Sequence, residues 1–295
     1  MTASGDTLTP FVLEGAAVRG AYVSMPLTAR DVLACHPYPP AVARVLGELL
    51  AACALLASTI KFEGSLIAQL SGNGPVRLLV VECTHTLGMR AMAQWDDARV
   101  AALPPDASLA DLAGGAQHGR LVLTLDPKGA GTMYQGIVAL ESASVAGLIE
   151  HYLATSEQLP SRLVLATRDG LAAGILAQRL PGAAETDDET WTRVQATMDA
   201  MNADVLLEAG TPSEAIAGAF VEDDVRVFEP RSVTFACSCS RERVTRALRI
   251  AGLDEVESIL AERGSVEMTC EFCNRRYVFS PVEARAAFSG HPLNS

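Results

Sequence analysis

The chain has 295 residues, of which 49% are hydrophobic, and its formal net charge is −12. This apolar content supports a folded core, and the length suggests about two domains. The excess of acidic groups argues against a nucleic-acid partner, because phosphate backbones repel an acidic surface.

The segment 1–10 is polar and has neither a basic start nor an apolar run, so we expect no signal peptide. The most apolar stretch, between Glu48 and Lys61, holds 12 uncharged residues, which is too short to span a bilayer. We therefore expect a cytoplasmic protein with no membrane partner, in a compartment that keeps thiols reduced.

Residues 1–180 predict a compact α+β domain. Segment 41–59 has apolar residues at helical spacing on most of its faces, which is typical of a buried helix, and 144–158 predicts an amphipathic helix. Apolar runs broken by turn residues predict strands at 62–70, 76–82, 120–126, 135–140, 162–167 and 172–178. The last two strands flank Asp169-Gly170, a pair that suits a tight hairpin turn.

Residues 181–231 carry 3 basic and 12 acidic side chains, a net charge of −9, whereas 1–180 has a net charge of −3 and 232–295 is neutral. This middle region, with its acidic run 185–189, predicts a helical linker that keeps its structure only while packed on another surface. Thr211 and Glu214 predict a capping box that opens a second short helix. An apolar stripe precedes it, and we expect this stripe to be core, with binding of other proteins as the alternative: Trp191, Val194, Met198, Met201 and Val205.

Four of the seven cysteines lie in the last sixty residues, as a C-x-C pair and a C-x-x-C pair separated by 30 residues: Cys237, Cys239, Cys270 and Cys273. Predicted strands at 233–235 and 266–269 precede the two pairs. Between them, Ser240 predicts the cap of one helix, and Asp254 with Glu257 predicts a capping box for a second. Four thiolates can form a closed tetrahedral shell around one Zn²⁺, with no open position for a catalytic water.

The region 232–295 therefore predicts a small zinc-binding domain. A domain of this size is marginal without a staple, and structural zinc contributes on the order of 10–16 kcal/mol in small fingers. Oxidation of the thiolates would destroy the ligands. Two alternatives are four ordinary buried thiols and a thioredoxin-like dithiol. Five arginines close in sequence could offset the charge of a tetrathiolate: Arg241, Arg243, Arg263, Arg275 and Arg276.

The remaining polar and thiol groups predict no further site. We expect Cys35, Cys53 and Cys83 to be small buried residues. We expect the other isolated histidines and paired acids to be ordinary surface or loop residues: His85, His118, His151, Asp96, Asp97, Asp187 and Asp188.

The sequence resembles a known family at the cysteine motifs. The segments Phe235-Ala-Cys-Ser-Cys-Ser-Arg-Glu-Arg-Val and Cys270-Glu-Phe-Cys-Asn-Arg-Arg-Tyr-Val-Phe are similar to those of the redox-regulated heat shock protein 33 chaperones of bacteria. Supporting stretches lie at Lys61-Phe-Glu-Gly-Ser-Leu, Gly72-Asn-Gly-Pro, Tyr134-Gln-Gly-Ile-Val and Ser156-Glu-Gln. The resemblance runs from about Gly20 to Phe288.

The resemblance implies a mechanism. The reduced protein would be folded, zinc-bound and inactive, and oxidation would release zinc and form the disulfides Cys237–Cys239 and Cys270–Cys273. The zinc domain and the linker would then unfold, and the protein would dimerise and hold unfolding client proteins without ATP. The sequence contains no G-x-x-x-x-G-K-[ST] phosphate loop, which agrees with a mechanism independent of ATP.

We therefore expect a holdase that is not an enzyme. Two other functions stay open at this point: a zinc ribbon that binds nucleic acid or a transcription complex, and a thiol oxidoreductase. The neutral charge of residues 232–295 argues against the zinc ribbon.

Overall fold

The computed structural model describes residues 5–115, 117–129, 131–140, 142–182 and 187–288. The chain divides after Ala236 into two compact units. Both units mix helices and strands, so the predicted α+β class is confirmed. Glu185 and Thr186 of the predicted acidic run lie outside the described residues, as does the side chain of Asp187.

The first unit contains two sheets. Sheet A has the order β10-β1-β2-β9-β8, with β11 also paired to β1. Its strands are antiparallel: β1 Thr7–Leu13, β2 Val18–Met25, β8 Ser161–Arg168, β9 Leu171–Arg179, β10 Val225–Val227 and β11 Arg231–Ser232. The predicted β8–β9 hairpin is confirmed, and its turn contains Asp169 and Gly170 at positive φ.

Sheet B has the order β12-β5-β4-β3-β6-β7, and every pairing is antiparallel except β12 with β5. Its strands are β3 Gly64–Ser71, β4 Val76–Thr84, β5 Gly88–Trp95, β6 Arg120–Pro127, β7 Tyr134–Ala139 and β12 Thr234–Phe235. The four strands predicted at 62–70, 76–82, 120–126 and 135–140 are confirmed with small shifts at their ends. No strand was predicted at β1, β2 or β5.

Eight helices belong to the described part of the first unit: α1 Thr28–Leu33, α2 Pro40–Thr59, α3 Asp97–Ala101, α4 Leu109–Ala113, α5 Val145–Thr155, α6 Asp187–Ala200, α7 Ala203–Glu208 and α8 Pro212–Ala219. Helix α2 contacts strands of both sheets and forms the centre of the main core. By length and composition α2 could cross a membrane, but 78% of its 18-residue apolar window is buried inside the protein. It is therefore a core helix, as its sequence predicts.

Helices α6, α7 and α8 cover the face of sheet A that α2 does not cover. A second apolar core joins Trp191, Val194 and Met198 of α6 to Phe11 and Tyr22 of the sheet. The prediction that the stripe is core is confirmed for these three residues of α6, whereas Val205 is 55% exposed. The region 181–231 thus packs within the first unit, and its role as a separate linker stays a prediction.

Ion pairs also join the acidic helices to the strands beneath them. Arg162 Nε lies 3.0 Å from Asp199 Oδ1. The Arg168 guanidinium lies 3.5 Å from Asp204 and 3.3 Å from Glu208. Because these side chains are half-exposed, each pair contributes only about 0–1 kcal/mol, and the apolar contacts dominate the attachment.

The second unit is a small helix–hairpin fold. Its elements are α9 Arg241–Ala251, α10 Leu253–Arg263, β13 Val266–Thr269, β14 Arg276–Phe279 and α11 Pro281–Ala286. Ser240 caps α9 as predicted, by accepting a hydrogen bond from the backbone N–H of Arg243. The predicted capping box of α10 is wrong, because its N-cap is Gly252 and no side chain caps it. Glu257 instead forms an ion pair with Arg285.

A buried hydrogen bond gives a direct test of how the acidic helices are attached. The Tyr22 hydroxyl donates to the Leu206 carbonyl at 2.7 Å. Tyr22→Phe leaves that carbonyl without its donor, so we expect the free energy of unfolding to fall by about 1–3 kcal/mol. Urea unfolding followed by tryptophan fluorescence measures it, since both tryptophans lie in the first unit.

Tyr134→Phe is the matched control, because the Tyr134 hydroxyl is exposed and its bond to Glu157 is long, at 3.4 Å. We expect this variant to change stability by less than about 0.5 kcal/mol. Equal stability of the two variants would contradict a stabilising role for the Tyr22 bond.

Candidate metal centre

The four clustered cysteines converge in the second unit. All four Sγ atoms lie within 4.8 Å of one another. The separation is 3.7 Å between Cys237 and Cys270, and 3.4 Å between Cys239 and Cys273. Cys237 and Cys239 follow β12, and Cys270 follows β13, so both motifs stand at strand ends as the sequence predicts.

Local backbone geometry shapes the C-x-x-C turn. The Asn274 N–H donates to the Cys270 carbonyl at 2.8 Å, and the Cys270 N–H donates to the Arg275 carbonyl at 2.9 Å. Asn274 has φ of 57°, a left-handed conformation that asparagine tolerates better than most residues. The turn therefore reverses the chain tightly between β13 and β14 and holds Cys270 and Cys273 on the same side.

The thiols are not equivalent electrostatically. Burial opposes ionisation of Cys239, but hydrogen bonds from the Tyr277 hydroxyl, at 3.1 Å, and from the neighbouring thiols outweigh it and lower the pKa of Cys239 to about 7. Burial raises the pKa values of Cys237 and Cys273, and the thiols of Cys239 and Cys270 add to both shifts. Among these three thiols, Cys239 is the one whose surroundings favour its ionised form.

Of the five arginines suggested as charge partners, all of them described, Arg275 is the one whose pKa is shifted by the thiols. Its pKa is raised by a hydrogen bond with Tyr277 and by the charges of Tyr277, Cys239 and Cys273. Three of the others pair with carboxylates: Arg241 with Glu283, Arg263 with Glu262, and Arg276 with Glu267. Arg243 donates to the Ser238 hydroxyl.

The donor set and its spacing fit a tetrahedral metal ion. A tetrahedron with metal–sulfur bonds of about 2.3 Å places its sulfurs about 3.8 Å apart. The separations of 3.7 Å for Cys237–Cys270 and 3.4 Å for Cys239–Cys273 lie within a few tenths of an ångström of that value. Four sulfur donors are typical of zinc and of iron–sulfur sites. The cluster can therefore hold one metal ion.

The other sequence-based assignments have mixed outcomes. Cys53 and Cys83 are buried as predicted, but the prediction for Cys35 is wrong, because this residue is half-exposed and its thiol donates to the Asp31 carbonyl. Tyr277 was not predicted to take part in the site. Its position in β14 points its hydroxyl at Cys239, and this depends on the hairpin register rather than on any motif.

Comparison with known proteins extends over nearly the whole chain. A family model described as Hsp33 protein matches residues 6–280. A Chromobacterium violaceum protein named 33 kDa chaperonin is 44% identical over 284 residues, which cover 96% of this chain and 94% of that protein. A Shewanella loihica protein of the same name is 39% identical and covers 98% of both chains.

The fold also matches a solved structure. The crystal structure of a 33 kDa chaperonin from Thermotoga maritima superposes with a TM-score of 0.82 at 24% identity, covering 95% of this chain and 97% of that one. Fold and relatives together define a chaperone that carries a cysteine cluster near its C-terminus. The chain belongs to the Hsp33 family.

Proposed function

We propose that this protein is a redox-switched, ATP-independent holdase, and that Cys237, Cys239, Cys270 and Cys273 are the ligands of one Zn²⁺ and the sensor of oxidation. The observation that carries the proposal is the meeting of all four thiols within 4.8 Å in a unit with a small core. Seven apolar residues are buried in that core: Leu248, Val256, Leu260, Val266, Phe279, Ala284 and Ala287.

The small core makes the second unit depend on its thiols. Domains of about this size have little net stability from apolar burial alone. A bound Zn²⁺ would hold the four thiolates together and contribute on the order of 10–16 kcal/mol, comparable with the 5–15 kcal/mol of a typical domain. Loss of thiolate donors should therefore unfold the unit.

Hydrogen peroxide is a sufficient oxidant for the switch. Each pair of thiols forms one S–S bond and gives up two electrons and two protons, and the peroxide O–O bond breaks to leave two water molecules. The family resemblance pairs Cys237 with Cys239 and Cys270 with Cys273. Distance alone does not select this pairing, because sulfurs of different motifs also lie close together, at 3.7 and 3.4 Å.

Unfolding of the second unit would remove one constraint on the C-terminal side of the acidic region 181–231, whose end also pairs with β1 through β10 and β11. Its net charge of −9 favours separation once the segment loosens. Clients would be unfolding proteins, which bind to newly exposed apolar surface, and the oxidised protein would form a homodimer. We propose a cytoplasmic protein without catalytic turnover, nucleic-acid ligand or membrane partner.

The two other functions have specific tests. A zinc ribbon would bind DNA or RNA with strong dependence on salt, which the net charge of −12 opposes. A thiol oxidoreductase would turn over a small disulfide substrate, and the low pKa of Cys239 is the one observation that favours it. Family membership among proteins named chaperonins favours the holdase.

We expect one Zn²⁺ per chain in the reduced protein. Cys237→Ser and Cys270→Ser each remove one of four donors, so the zinc content should fall well below one, as measured by elemental analysis. Cys35→Ser is the matched control and should keep its zinc, because Cys35 lies outside the second unit. Full zinc in both ligand variants would contradict the assignment.

We expect the reduced protein to protect a heat-denaturing client poorly and the peroxide-treated protein to protect it without nucleotide. Light scattering of the aggregating client measures the difference, and Cys35→Ser should switch as the parent chain does. The switch would be excluded by equal protection before and after oxidation, with zinc release verified in the same sample.

We expect oxidation to move Trp191 from an apolar to a wetter environment. Trp191 is 6% exposed against sheet A, so its emission should shift to the red and quench more easily once the acidic helices detach. A Trp95→Phe variant reports on Trp191 alone, because the chain has two tryptophans. Trp191→Phe is the control, in which Trp95 emission should stay unchanged. Unchanged Trp191 emission after zinc release would show that the acidic helices do not respond to the thiols.

A further inference from the structure

Three of the stretches that resemble the Hsp33 family take no part in the thiol switch, yet they meet at one place in the first unit. Lys61, Tyr134 and Glu157 come from these three stretches, and each lines the same cavity. The cavity has a volume of about 490 Å³. Small-molecule sites have volumes of about 300–1,000 Å³, so the space suits a ligand rather than a single water.

The walls of the cavity include six leucines, which come from sheet B, from two helices and from a loop. Helix α2, strands β3 and β6, and helix α5 with the loop after it supply them: Leu56, Leu66, Leu123, Leu125, Leu153 and Leu159. Leu66, Leu123 and Leu153 are almost fully buried. A wall of this kind favours an aliphatic group, which gains free energy with each methylene it removes from water.

Two cations line the same cavity. Arg19 on β2 is half-buried, and its Nε donates to the neutral Gln178 amide oxygen at 3.2 Å. Burial also lowers the pKa of Arg19, as expected for a cation that has lost water. Lys61 is exposed. Across the described ranges, neither cation has a carboxylate within 4.0 Å.

The one acidic group of the cavity is already engaged by hydroxyls. Glu157 Oε1 accepts hydrogen bonds from Tyr152 at 2.6 Å and from Tyr134 at 3.4 Å. Glu157 thus has two hydroxyl donors, and within the described residues it forms no ion pair with Arg19 or Lys61. Arg19 and Lys61 can therefore pair with the anionic group of a ligand, and the apolar interior of the cavity lies beside them.

We propose that this cavity binds a medium-chain aliphatic carboxylate such as decanoate, with the alkyl chain among the leucines and the carboxylate at Arg19 and Lys61. The site lies within the first unit and uses none of the clustered cysteines, so the proposal goes beyond the redox switch and is independent of it.

Isothermal titration calorimetry on the reduced, full-length protein tests the proposal, with ligands kept below their micelle-forming concentrations. We expect saturable binding of one decanoate per chain. Octanoate should bind about 15-fold more weakly, because each buried methylene changes affinity about fourfold. Decylamine, which has the same chain length and the opposite charge, should bind more weakly than decanoate.

Lys128 is a matched control for Lys61, because the chain has two lysines and only Lys61 lines the cavity. Lys61→Gln should weaken decanoate binding about two- to fivefold, as expected for an exposed ion pair. Lys128→Gln removes the same charge from an exposed position outside the cavity and should leave the affinity unchanged. Arg19→Gln should weaken binding about tenfold, since a charge-assisted bond at a half-buried group is stronger.

Glu157→Gln gives a prediction of opposite sign, because removal of the cavity's one acidic charge should strengthen decanoate binding. Acylation of the lysines supplies a second readout, in which bound decanoate should protect Lys61 and leave Lys128 reactive. Thermal melts verify that each variant is folded. Absence of decanoate binding, equal affinity in the two lysine variants, or equal binding of decylamine would overturn the proposal.

Discussion

Strand β9 is buried without interruption from Ala172 to Gln178, so sheet A needs cover on both of its faces. Helix α2 supplies one cover and is apolar nearly all round. The other cover is the acidic segment with α6, α7 and α8, which carries a net charge of −9 together with its flanking residues 181–231. Sheet A is thus covered on one face by the core helix α2 and on the other face by a strongly acidic segment.

The interactions on that second face are mainly apolar. Trp191, Val194 and Met198 bury apolar surface against Phe11 and Tyr22. The ion pairs of Arg162 and Arg168 add little, because they are half-exposed. Isolated helices of six to fourteen residues are marginal in water. Attachment of this cover therefore depends mostly on the burial of its apolar stripe against sheet A.

The second unit differs from the first, because it has a cluster of four thiols and no large apolar core among its described residues. The four thiols bring residues 237–239 next to residues 270–273, and the apolar core of the unit is small. The same thiolates that can bind a metal are the groups that oxidants attack. In the proposed switch, stability and sensitivity to oxidation would therefore depend on the same atoms.

The sequence by itself determined the parts that depend on local pattern. The cysteine spacing, the buried helix at 41–59, the hairpin around Asp169-Gly170 and the cap at Ser240 each follow from short-range chemistry, and the structure agrees. The strands β1, β2 and β5 were not predicted, because Pro10 in β1 and the small residues in β2 and β5 weaken the strand pattern of the sequence. Long-range pairing stabilises these strands instead.

Only the tertiary structure decided which distant residues meet. The bond from Tyr277 to Cys239 depends on the register of β13 with β14, and the cavity joins Arg19, Lys61 and Glu157 from three separate parts of the chain. The α10 cap was wrongly predicted, because the helix begins at Leu253, before Asp254, and Glu257 pairs with Arg285 across the unit. Contacts of this kind depend on packing between elements, and no spacing along the chain encodes them.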